Sequence, residues 1–281
     1  MTPVVAIIAQ GSMGSAVARR LAENGVEVLT SLAGRSAASA ARAREAGMRA
    51  VADAEAAAVD FFLSIVPPGD ALALAERFAP HLGRSNRKPV YVDCNAVNPD
   101  TVARIAPVVA AAGAPFVDAG IIGGPPKPGD RGPRFYASGR DAPRFATLRD
   151  HGLDIRVLDG AIGAASGLKM SYAGITKGFT AIGSAMMLAA TRNGTAEALH
   201  RELAESQPAL TGWLTRQVPN MYAKAYRWVA EMEEIAGFVA DDEAARAMFA
   251  GTAKLYERLA ADEALEGKET GALTAFLEDR K

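Results

Sequence analysis

Short apolar runs alternate with helical patterns along the first 160 residues. The apolar run at residues 4–9 is typical of a buried parallel strand, and a helical pattern over residues 13–24 follows it after a glycine-rich turn. The same succession then repeats. Further predicted strands are residues 26–30, 48–51, 61–66, 90–93, 115–119, 134–138 and 155–158, and further predicted helices are 36–46, 70–79 and 101–112. This alternation predicts an α/β domain built on a doubly wound parallel sheet.

The pattern changes after Gly160. No convincing strand follows, and long segments rich in Ala, Leu, Glu and Arg are separated by predicted turns at 192–194, at 207–208 and near Gly251. These four residue types favour helices. We therefore expect two domains, an α/β domain over residues 1–160 and an all-helical (all-α) C-terminal domain over residues 161–281.

Composition and charge exclude several kinds of partner. The 281 residues include 31 Lys and Arg against 32 Asp and Glu, which argues against a nucleic-acid binder and against a polybasic membrane anchor. The single cysteine, Cys94, and three scattered histidines offer neither a disulfide framework nor a metal ligand set. No apolar run is long enough to span a membrane and no signal peptide is evident, so we expect a cytoplasmic protein.

The turn after the first strand carries a dinucleotide-binding pattern. Residues 9–14 resemble the G-x-G-x-x-G fingerprint, with Ala9 in place of the first glycine. Gly11 allows the backbone to approach a pyrophosphate, Gly14 allows the helix to pack closely on the strand, and the helix N-terminus offers N–H groups to phosphates. The pattern predicts a Rossmann-type cofactor site at Gly11, Ser12, Met13 and Gly14. The alternative is an ordinary tight turn.

The end of the second strand bears on which nicotinamide cofactor binds. No Asp or Glu lies close behind it, although NAD sites usually place an acid there for the ribose 2′-hydroxyl. Arg35 offers a guanidinium fork for a 2′-phosphate, and Ser36 offers a hydroxyl donor. We therefore expect NADP in preference to NAD. The alternative makes Arg35 a solvated loop residue and Ser36 the N-cap of the next helix.

Four segments in order resemble the superfamily of 6-phosphogluconate dehydrogenase and the β-hydroxyacid dehydrogenases, which include 3-hydroxyisobutyrate dehydrogenase. They are residues 11–18, 93–99, 117–124 and 163–170. The stretch from Lys169 to Gly178 also resembles a branch whose C-terminal domain is one of unknown function (DUF1932). The resemblance implies a nicotinamide-dependent oxidoreductase in which Lys169 is the catalytic residue.

The resemblance also implies contacts with substrate or cofactor for six further residues: Ile122, Gly123, Gly124, Val66, Pro67 and Asn95. The first three belong to the substrate-binding segment, and the next two to the loop under the adenosine ribose and pyrophosphate. Asn95 is expected near the nicotinamide or the substrate, and its alternative is a turn or capping residue. The helical domain of such proteins often mediates a homodimer and closes the substrate pocket, so we expect a homodimer.

The residues around Lys169 bear on its chemistry. In a helix, Tyr172, Ala173 and Thr176 share one face with Lys169. Lysine can take a proton from a substrate hydroxyl or return one to a carbonyl, and the alternative is a lysine that extends from the helix into solvent. Tyr172 is expected to hydrogen-bond the substrate or to act as an acid, or else to pack as a core aromatic. The role of Lys177, at the edge of this face, stays open.

Two departures from the family affect the expected substrate. Where the family has Asn four residues after the lysine and Ser before the Gly-Gly pair, this chain has Ala173 and Ile122. The altered positions make 6-phosphogluconate itself an unexpected substrate.

The sequence therefore predicts an NADP-dependent oxidoreductase that transfers hydride between NADP(H) and a small alcohol or carbonyl substrate, with Lys169 as general acid or base. Two alternatives stay open. One is the reduction of a C=N bond in the manner of an imine reductase, and the other is a redox sensor that binds NADP without turnover. Lys169 argues against the sensor, which needs no group for proton transfer.

Overall fold

The chain forms two compact units. A computed structural model describes residues 2–127 and 129–278, and the first unit ends at Met170 while the second begins at Ser171. The dividing point lies beyond the predicted domain boundary at residue 160, because the first turns of a long helix belong to the first unit.

The described residues of the first unit form one eight-stranded sheet. The strands are β1 Val4–Ile8, β2 Glu27–Ser31, β3 Arg49–Val51, β4 Phe61–Ser64, β5 Val90–Asp93, β6 Phe116–Ile122, β7 Arg134–Ser138 and β8 Asp154–Val157. Their order across the sheet is β3-β2-β1-β4-β5-β6-β7-β8. Every neighbouring pair is parallel except β6 and β7. The predicted doubly wound sheet is confirmed, but β7 and β8 run antiparallel to the other six strands, which the sequence pattern did not reveal.

Helices connect the strands and make up the second unit. They are α1 Ser12–Glu23, α2 Ala37–Glu45, α3 Asp53–Ala56, α4 Ala71–Arg84, α5 Pro99–Ala111, α6 Ala142–Phe145, α7 Ala164–Arg192, α8 Ala196–Ser206, α9 Pro208–Met221, α10 Ala225–Phe238, α11 Glu243–Ala264 and α12 Lys268–Leu277. Helix α7 begins in the first unit and continues into the second. No strand follows β8 among the described residues, so the predicted helical C-terminal region is confirmed.

Alternate residues of the strands supply two apolar cores, one on each face of the sheet. In β1, Val5 and Ile7 belong to one core, and Ala6 and Ile8 belong to the other. Successive strand side chains point to opposite faces, so both faces must be apolar when helices cover both. This burial explains why the strands are continuous apolar runs in the sequence.

Three elements differ from their predicted extent. Helix α4 continues past Pro80 to Arg84, although the pattern predicted an end at residue 79. Strand β6 continues to Ile122, three residues beyond its predicted end, because β7 pairs with it from Asp118 to Ile122. The turn predicted near Gly251 is wrong, since Gly251 lies within α11. Glycine disfavours a helix by only about 1 kcal/mol, which packing can outweigh.

A partly buried ion pair lies inside the second unit. Lys177 of α7 pairs with Glu231 of α10, and only 12% and 16% of their side chains are exposed. The ammonium group also lies 5.0 Å from the ring centroid of Trp228, and the hydroxyl of Tyr256 donates to the Lys177 carbonyl oxygen over 2.6 Å. Burial raises the pKa of the Tyr256 phenol well above its ordinary range. The contacts of Lys177 therefore hold α7, α10 and α11 together.

None of the described helices, α7 included, combines the length and the apolarity that crossing a membrane requires.

We expect Glu231→Gln to lower the free energy of unfolding of the second unit by roughly 3 kcal/mol, because it removes a negative charge that pairs with a poorly solvated lysine. Both tryptophans, Trp213 and Trp228, lie in this unit. Urea unfolding followed by tryptophan fluorescence therefore reports on it directly.

Glu197→Gln is the matched control, since Glu197 pairs with Arg201 on the surface of α8 and both side chains are mostly exposed. Its loss should cost no more than about 0.5 kcal/mol. Equal effects of the two substitutions would contradict a structural role for the Lys177–Glu231 pair.

Candidate active site

The turn between β1 and α1 has the geometry of an anion site. Gly11 precedes the helix, no side chain caps the helix start, and the first turn carries no acidic residue. The first N–H groups of a helix have no partner within the helix, so those of α1 are available to an anion. A Cβ built on Gly11 would meet no atom within 4 Å. The space and the donors both fit the diphosphate of a dinucleotide.

Gly14 has the packing role that the sequence predicted. A Cβ at this position would lie 1.9 Å from the carbonyl oxygen of Ala9, a distance that no real side chain tolerates. Only glycine therefore lets α1 approach the end of β1 this closely. Ala9, which replaces the first glycine of the pattern, fits because the requirement for a missing side chain falls on Gly14.

Two residues that the sequence analysis missed hold this turn in place. The side-chain amide of Gln10 is buried and donates to the carbonyl oxygen of Ser31 over 2.9 Å and to the hydroxyl of Thr30. Arg42 of α2 donates from Nε to the backbone oxygen of Gln10 over 2.8 Å. The turn is thus fixed to β2 and α2. No local pattern marks these residues, because their partners lie 20 to 32 positions away.

The segment after β2 leaves one basic side chain available. The Ser36 hydroxyl accepts a hydrogen bond from the backbone N–H of Ser39, so Ser36 is the N-cap of α2 as the alternative interpretation held. Arg35 is partly buried, and its side chain makes no hydrogen bond or ion pair with another described residue. Its guanidinium group remains free to meet a ligand.

An acid does lie near the end of β2, but it comes from another element. Asp53 of α3 accepts hydrogen bonds from the Ser31 hydroxyl and from Arg77 of α4, which approaches both carboxylate oxygens at 2.8 and 2.9 Å. Burial opposes the charge of Asp53, and the bonds from Ser31 and Arg77 outweigh that effect and lower its pKa. This carboxylate is therefore already engaged, so the end of β2 still lacks an acid that is free for a ribose hydroxyl.

Asn95 connects the ends of β4 and β5. Its carboxamide oxygen accepts from the backbone N–H of Val66 over 2.7 Å, and its amide donates to the hydroxyl of Ser64 over 2.8 Å. The side chain is buried, so it holds the loop that contains Val66 and Pro67. This structural role differs from the turn or capping role that the sequence analysis gave as the alternative, and the N-cap of α5 is Asn98. Contact of Asn95, Val66 or Pro67 with a cofactor stays a prediction.

Cys94 is a buried residue that lies between Asp93 and Asn95 in the chain, just after β5. Burial, and then the nearby carboxyl groups of Asp93 and Asp118, raise the pKa of its thiol well above the ordinary value. A thiol with a raised pKa is a poor nucleophile. Its surroundings agree with an inert packing role.

Lys169 contacts strand β6, which ends in the segment that resembles the family's substrate-binding motif. A Cβ on Gly120 of β6 would lie 2.9 Å from Lys169 Cβ, so the helix that carries the lysine contacts the strand there. Ile122, on the same face of β6 by the alternation of a strand, is buried. Gly123 follows with a φ of +125°, a backbone conformation that favours glycine, and Gly124 comes next. The structure therefore places Lys169 against β6 at Gly120, which precedes Ile122 and the Gly-Gly pair by two to four residues.

Lys169 itself is available for a ligand. Its side chain is partly buried, and it makes no hydrogen bond or ion pair with another described residue. A lysine without a partner at the carboxyl end of a parallel sheet can exchange a proton with a bound molecule.

Tyr172 and its neighbours belong to the second unit. The Tyr172 side chain is 49% exposed, so it is not part of the buried core of that unit. Ala173 is buried, and the Thr176 hydroxyl donates to the Tyr172 carbonyl oxygen over 2.9 Å within the helix. The role of Tyr172 toward a substrate stays a prediction.

Sheet order and glycine turn together define an α/β dinucleotide-binding fold. Residues 4–149 match the model of the NAD binding domain of 6-phosphogluconate dehydrogenase, and residues 190–259 match a domain of unknown function (DUF1932). The chain belongs to the family defined by the first of these domains, and the resemblance seen in the sequence is confirmed.

Relatives at about 30% identity have no assigned function. An uncharacterized 28.5 kDa protein in the 7S RNA 5′ region of Methanothermus fervidus is 30% identical over 184 residues, which are 65% of this chain and 69% of that protein. A conserved protein of unknown function, described as structurally similar to 3-hydroxyacid dehydrogenases, is 31% identical with a TM-score of 0.70. That match covers 94% of this chain and 99% of the other.

More distant structures share the fold. A 3-hydroxyisobutyrate dehydrogenase from Mycobacterium tuberculosis, solved with L-serine, is 18% identical with a TM-score of 0.71 over 98% of this chain and 99% of its own. An imine reductase from Myxococcus stipitatus in complex with NADP+ is 17% identical with a TM-score of 0.53 over 99% of this chain and 100% of its own. These structures show the fold, and the family indicates an NAD(P)-dependent oxidoreductase.

Proposed function

We propose that the protein is an NADP-dependent oxidoreductase of the β-hydroxyacid dehydrogenase type. Its reaction transfers hydride between NADP(H) and a small alcohol or carbonyl substrate, and Lys169 is the general acid or base. The observation that carries the proposal is the position of Lys169, whose side chain has no partner among the described residues and whose Cβ packs over Gly120 of β6. A cytoplasmic location, expected from the sequence, is part of the proposal.

Each step that the chain performs follows from named groups. The start of α1 holds the diphosphate through its N–H groups, and Arg35 pairs with the 2′-phosphate. When bound, the nicotinamide supplies or accepts the hydride. Lys169 takes the proton of the substrate hydroxyl in oxidation and returns a proton to the carbonyl oxygen in reduction. The backbone of Gly123 and Gly124 and the hydroxyl of Tyr172 orient the substrate.

Reduction of a C=N bond is the second candidate. Ile122 stands where the family has a serine, and an apolar side chain there suits a neutral imine better than a hydroxy acid. The structural likeness to an imine reductase supports the same candidate at the level of the fold. The third candidate, an NADP-binding sensor, requires no lysine at this position.

We expect Arg35→Ala to weaken NADPH binding by about 10- to 100-fold and to leave NADH binding unchanged, because it removes the cation that pairs with the 2′-phosphate. Fluorescence titration of the purified protein with each cofactor measures both affinities.

Arg44→Ala is the control, since Arg44 is an exposed arginine of the adjoining helix α2 and its loss changes the net charge equally. Binding of NADH that is tighter than binding of NADPH in the unaltered protein would contradict the proposed preference. Failure to bind either cofactor would contradict the oxidoreductase proposal itself.

We expect Lys169→Ala to lower kcat by about 10²- to 10⁴-fold while NADPH still binds, because the substitution removes the proton donor or acceptor and spares the start of α1. The assay uses 3-hydroxyisobutyrate and L-serine with NADP+, and 1-pyrroline with NADPH, and it follows absorbance of the reduced nicotinamide.

Lys254→Ala, which removes an exposed lysine of α11, should leave the rate unchanged. Turnover of the hydroxy acids supports the first candidate, and turnover of 1-pyrroline alone supports the imine reductase. A rate that survives Lys169→Ala contradicts the proposed role of the lysine.

We also propose that the second unit forms a homodimer through one face of α7. Apolar side chains on this face recur at spacings of four, three and four residues, as in a helix that packs against another. Four side chains of this face are more than half exposed, and so is Met248 of α11. The four are Ile175, Phe179, Ile182 and Met186. Each, Met248 included, exposes roughly 100 Å², so pairing two copies buries about 1,000 Å², which is the size at which specific interfaces begin.

We expect the protein to have twice its 29.3 kDa chain mass in solution and Phe179→Glu to convert it to a monomer, because two charges would then face each other in an apolar interface. Sedimentation velocity measures the mass. Leu265→Glu, at a position that is 84% exposed just after α11, should leave the dimer intact. A monomeric unaltered protein would contradict the proposal.

A further inference from the structure

Four buried polar side chains lie next to each other across the middle of the sheet. Ser64 of β4 is in register with Asp93 of β5, Asp93 with Asp118 of β6, and Asp118 with Ser138 of β7. Each of the four residues is at most 1% exposed. Buried polar groups are costly unless they are hydrogen-bonded, so the partners of this row are informative.

The carboxyl group of Asp118 binds the start of helix α7. Its Oδ2 atom accepts hydrogen bonds of 3.0 Å from the backbone N–H groups of Gly163 and Ser166 and from the hydroxyl of Ser138. Its Oδ1 atom accepts from the hydroxyl of Ser166 over 2.6 Å. A single carboxyl group thus receives four hydrogen bonds, three of them from the residues that begin α7.

Ser138 extends the same anchor. While its hydroxyl donates to Asp118, the oxygen accepts the backbone N–H of Ala165 over 3.0 Å. The N–H groups at the start of α7 therefore bond to side chains of the sheet instead of to a local N-cap. Hydrogen bonds to a carboxyl group are among the stronger ones, and here they join α7 to β6 and β7.

Lys169 lies one helical turn beyond this anchor. Gly120 lies two residues after Asp118 in β6. Because it has no side chain, the Ala165 carbonyl oxygen and the Lys169 Cβ lie only 2.9 Å from the position that its Cβ would occupy. Asp118 fixes the helix start and Gly120 fixes its distance from the strand. The two together determine where the lysine side chain leaves the backbone.

We propose that Asp118, acting through Ser138 and Ser166, is a positioning residue for Lys169. The inference rests on the proposed function, in which Lys169 exchanges a proton with the substrate. Asp118 contacts neither substrate nor cofactor in this role. It holds the first turn of α7 on β6, so that the ammonium group meets the reacting atom at the distance that proton transfer requires.

The test is Asp118→Asn, alone and combined with Lys169→Ala. Asn keeps an oxygen that can accept the two backbone N–H groups, but it replaces the second oxygen with an amide that cannot accept from Ser166. The substrate is whichever of 3-hydroxyisobutyrate, L-serine and 1-pyrroline the unaltered protein turns over. We expect kcat with that substrate to fall about 10- to 100-fold. The dissociation constant of NADPH should change less than about twofold, because α1 is untouched.

The double variant separates positioning from general damage. If Asp118 acts only through Lys169, Asp118→Asn lowers the rate of the unaltered protein and causes no further loss once Lys169 is Ala. An equal additional loss in the Lys169→Ala background overturns the inference. Lys169→Ala without effect would instead contradict the proposed function, so the two failures are distinguishable.

A second measurement needs no substrate. Amide hydrogen exchange at Ala165 and Ser166 should quicken at least about tenfold in Asp118→Asn, because the start of α7 loses the bond from the Ser166 hydroxyl to the carboxyl group and opens more often. The control is Asp60→Asn, because Asp60 also accepts a backbone N–H, from Val4 over 2.8 Å, but at the amino end of the strands. Unchanged exchange at Ala165 and Ser166 overturns the inference even if no probe is turned over.

Ser166→Ala serves if Asp118→Asn fails to fold. It removes only the 2.6 Å hydroxyl bond and keeps the backbone donors. We expect a smaller effect of the same kind. The value of kcat falls about two- to tenfold, and this loss disappears in the Lys169→Ala background. A loss that persists there overturns the inference.

Discussion

The position of Lys169 depends on a contact that only glycine permits. Strand β6 carries no side chain at Gly120, and a Cβ there would come within 2.9 Å of both the Ala165 carbonyl oxygen and Lys169 Cβ. Any other residue would push α7 away from the strand and move the lysine with it. The same constraint applies at the other end of the proposed site, where α1 reaches the end of β1 over Gly14. The backbones of α1 and α7 thus pack directly on the sheet, and these two close contacts require glycine at Gly14 and at Gly120.

The two helix starts show opposite uses of the same physical property. Every helix N-terminus presents unpaired N–H groups and a partial positive charge. At α1 no side chain caps these groups, so an anion can bind there. At α7 the carboxyl group of Asp118 and the hydroxyl of Ser138 already occupy them. The start of α1 is therefore open to a phosphate, whereas the start of α7 is occupied by a carboxyl group of the protein itself. This difference explains how one sheet edge can bind an anionic cofactor beside a rigidly held lysine.

Local patterns predicted the features that depend on neighbouring residues. The alternation of strands and helices, the packing role of Gly14 and the N-cap at Ser36 all follow from residues a few positions apart. The pairing of Asp118 with Ser166, 48 positions away, leaves no trace in either local sequence. The same holds for Gln10 with Ser31 and for Lys177 with Glu231. The turn predicted near Gly251 and the helix end predicted at residue 79 were both wrong, because tertiary packing outweighs the local preferences of Gly251 and Pro80. The site was recognisable as a set of motifs, but the groups that hold it together were not.

The surroundings of Lys169 in the first unit limit the substrates that the proposed reaction can accept. Strand β6 ends in the apolar Ile122, and Gly123 and Gly124 offer backbone groups but no side chains. The reacting oxygen or nitrogen needs only the lysine proton, whereas the carboxylate of a hydroxy acid needs donors of its own. If Lys169 held that carboxylate, its proton would be shared between two acceptors and the transfer would be weakened. For a hydroxy acid, the proposal therefore assigns the carboxylate to the backbone N–H groups of the Gly-Gly pair, because two such groups can bind one anion when they converge on it. A neutral imine makes no such demand, so the apolar replacement at Ile122 bears directly on the choice between the two chemistries.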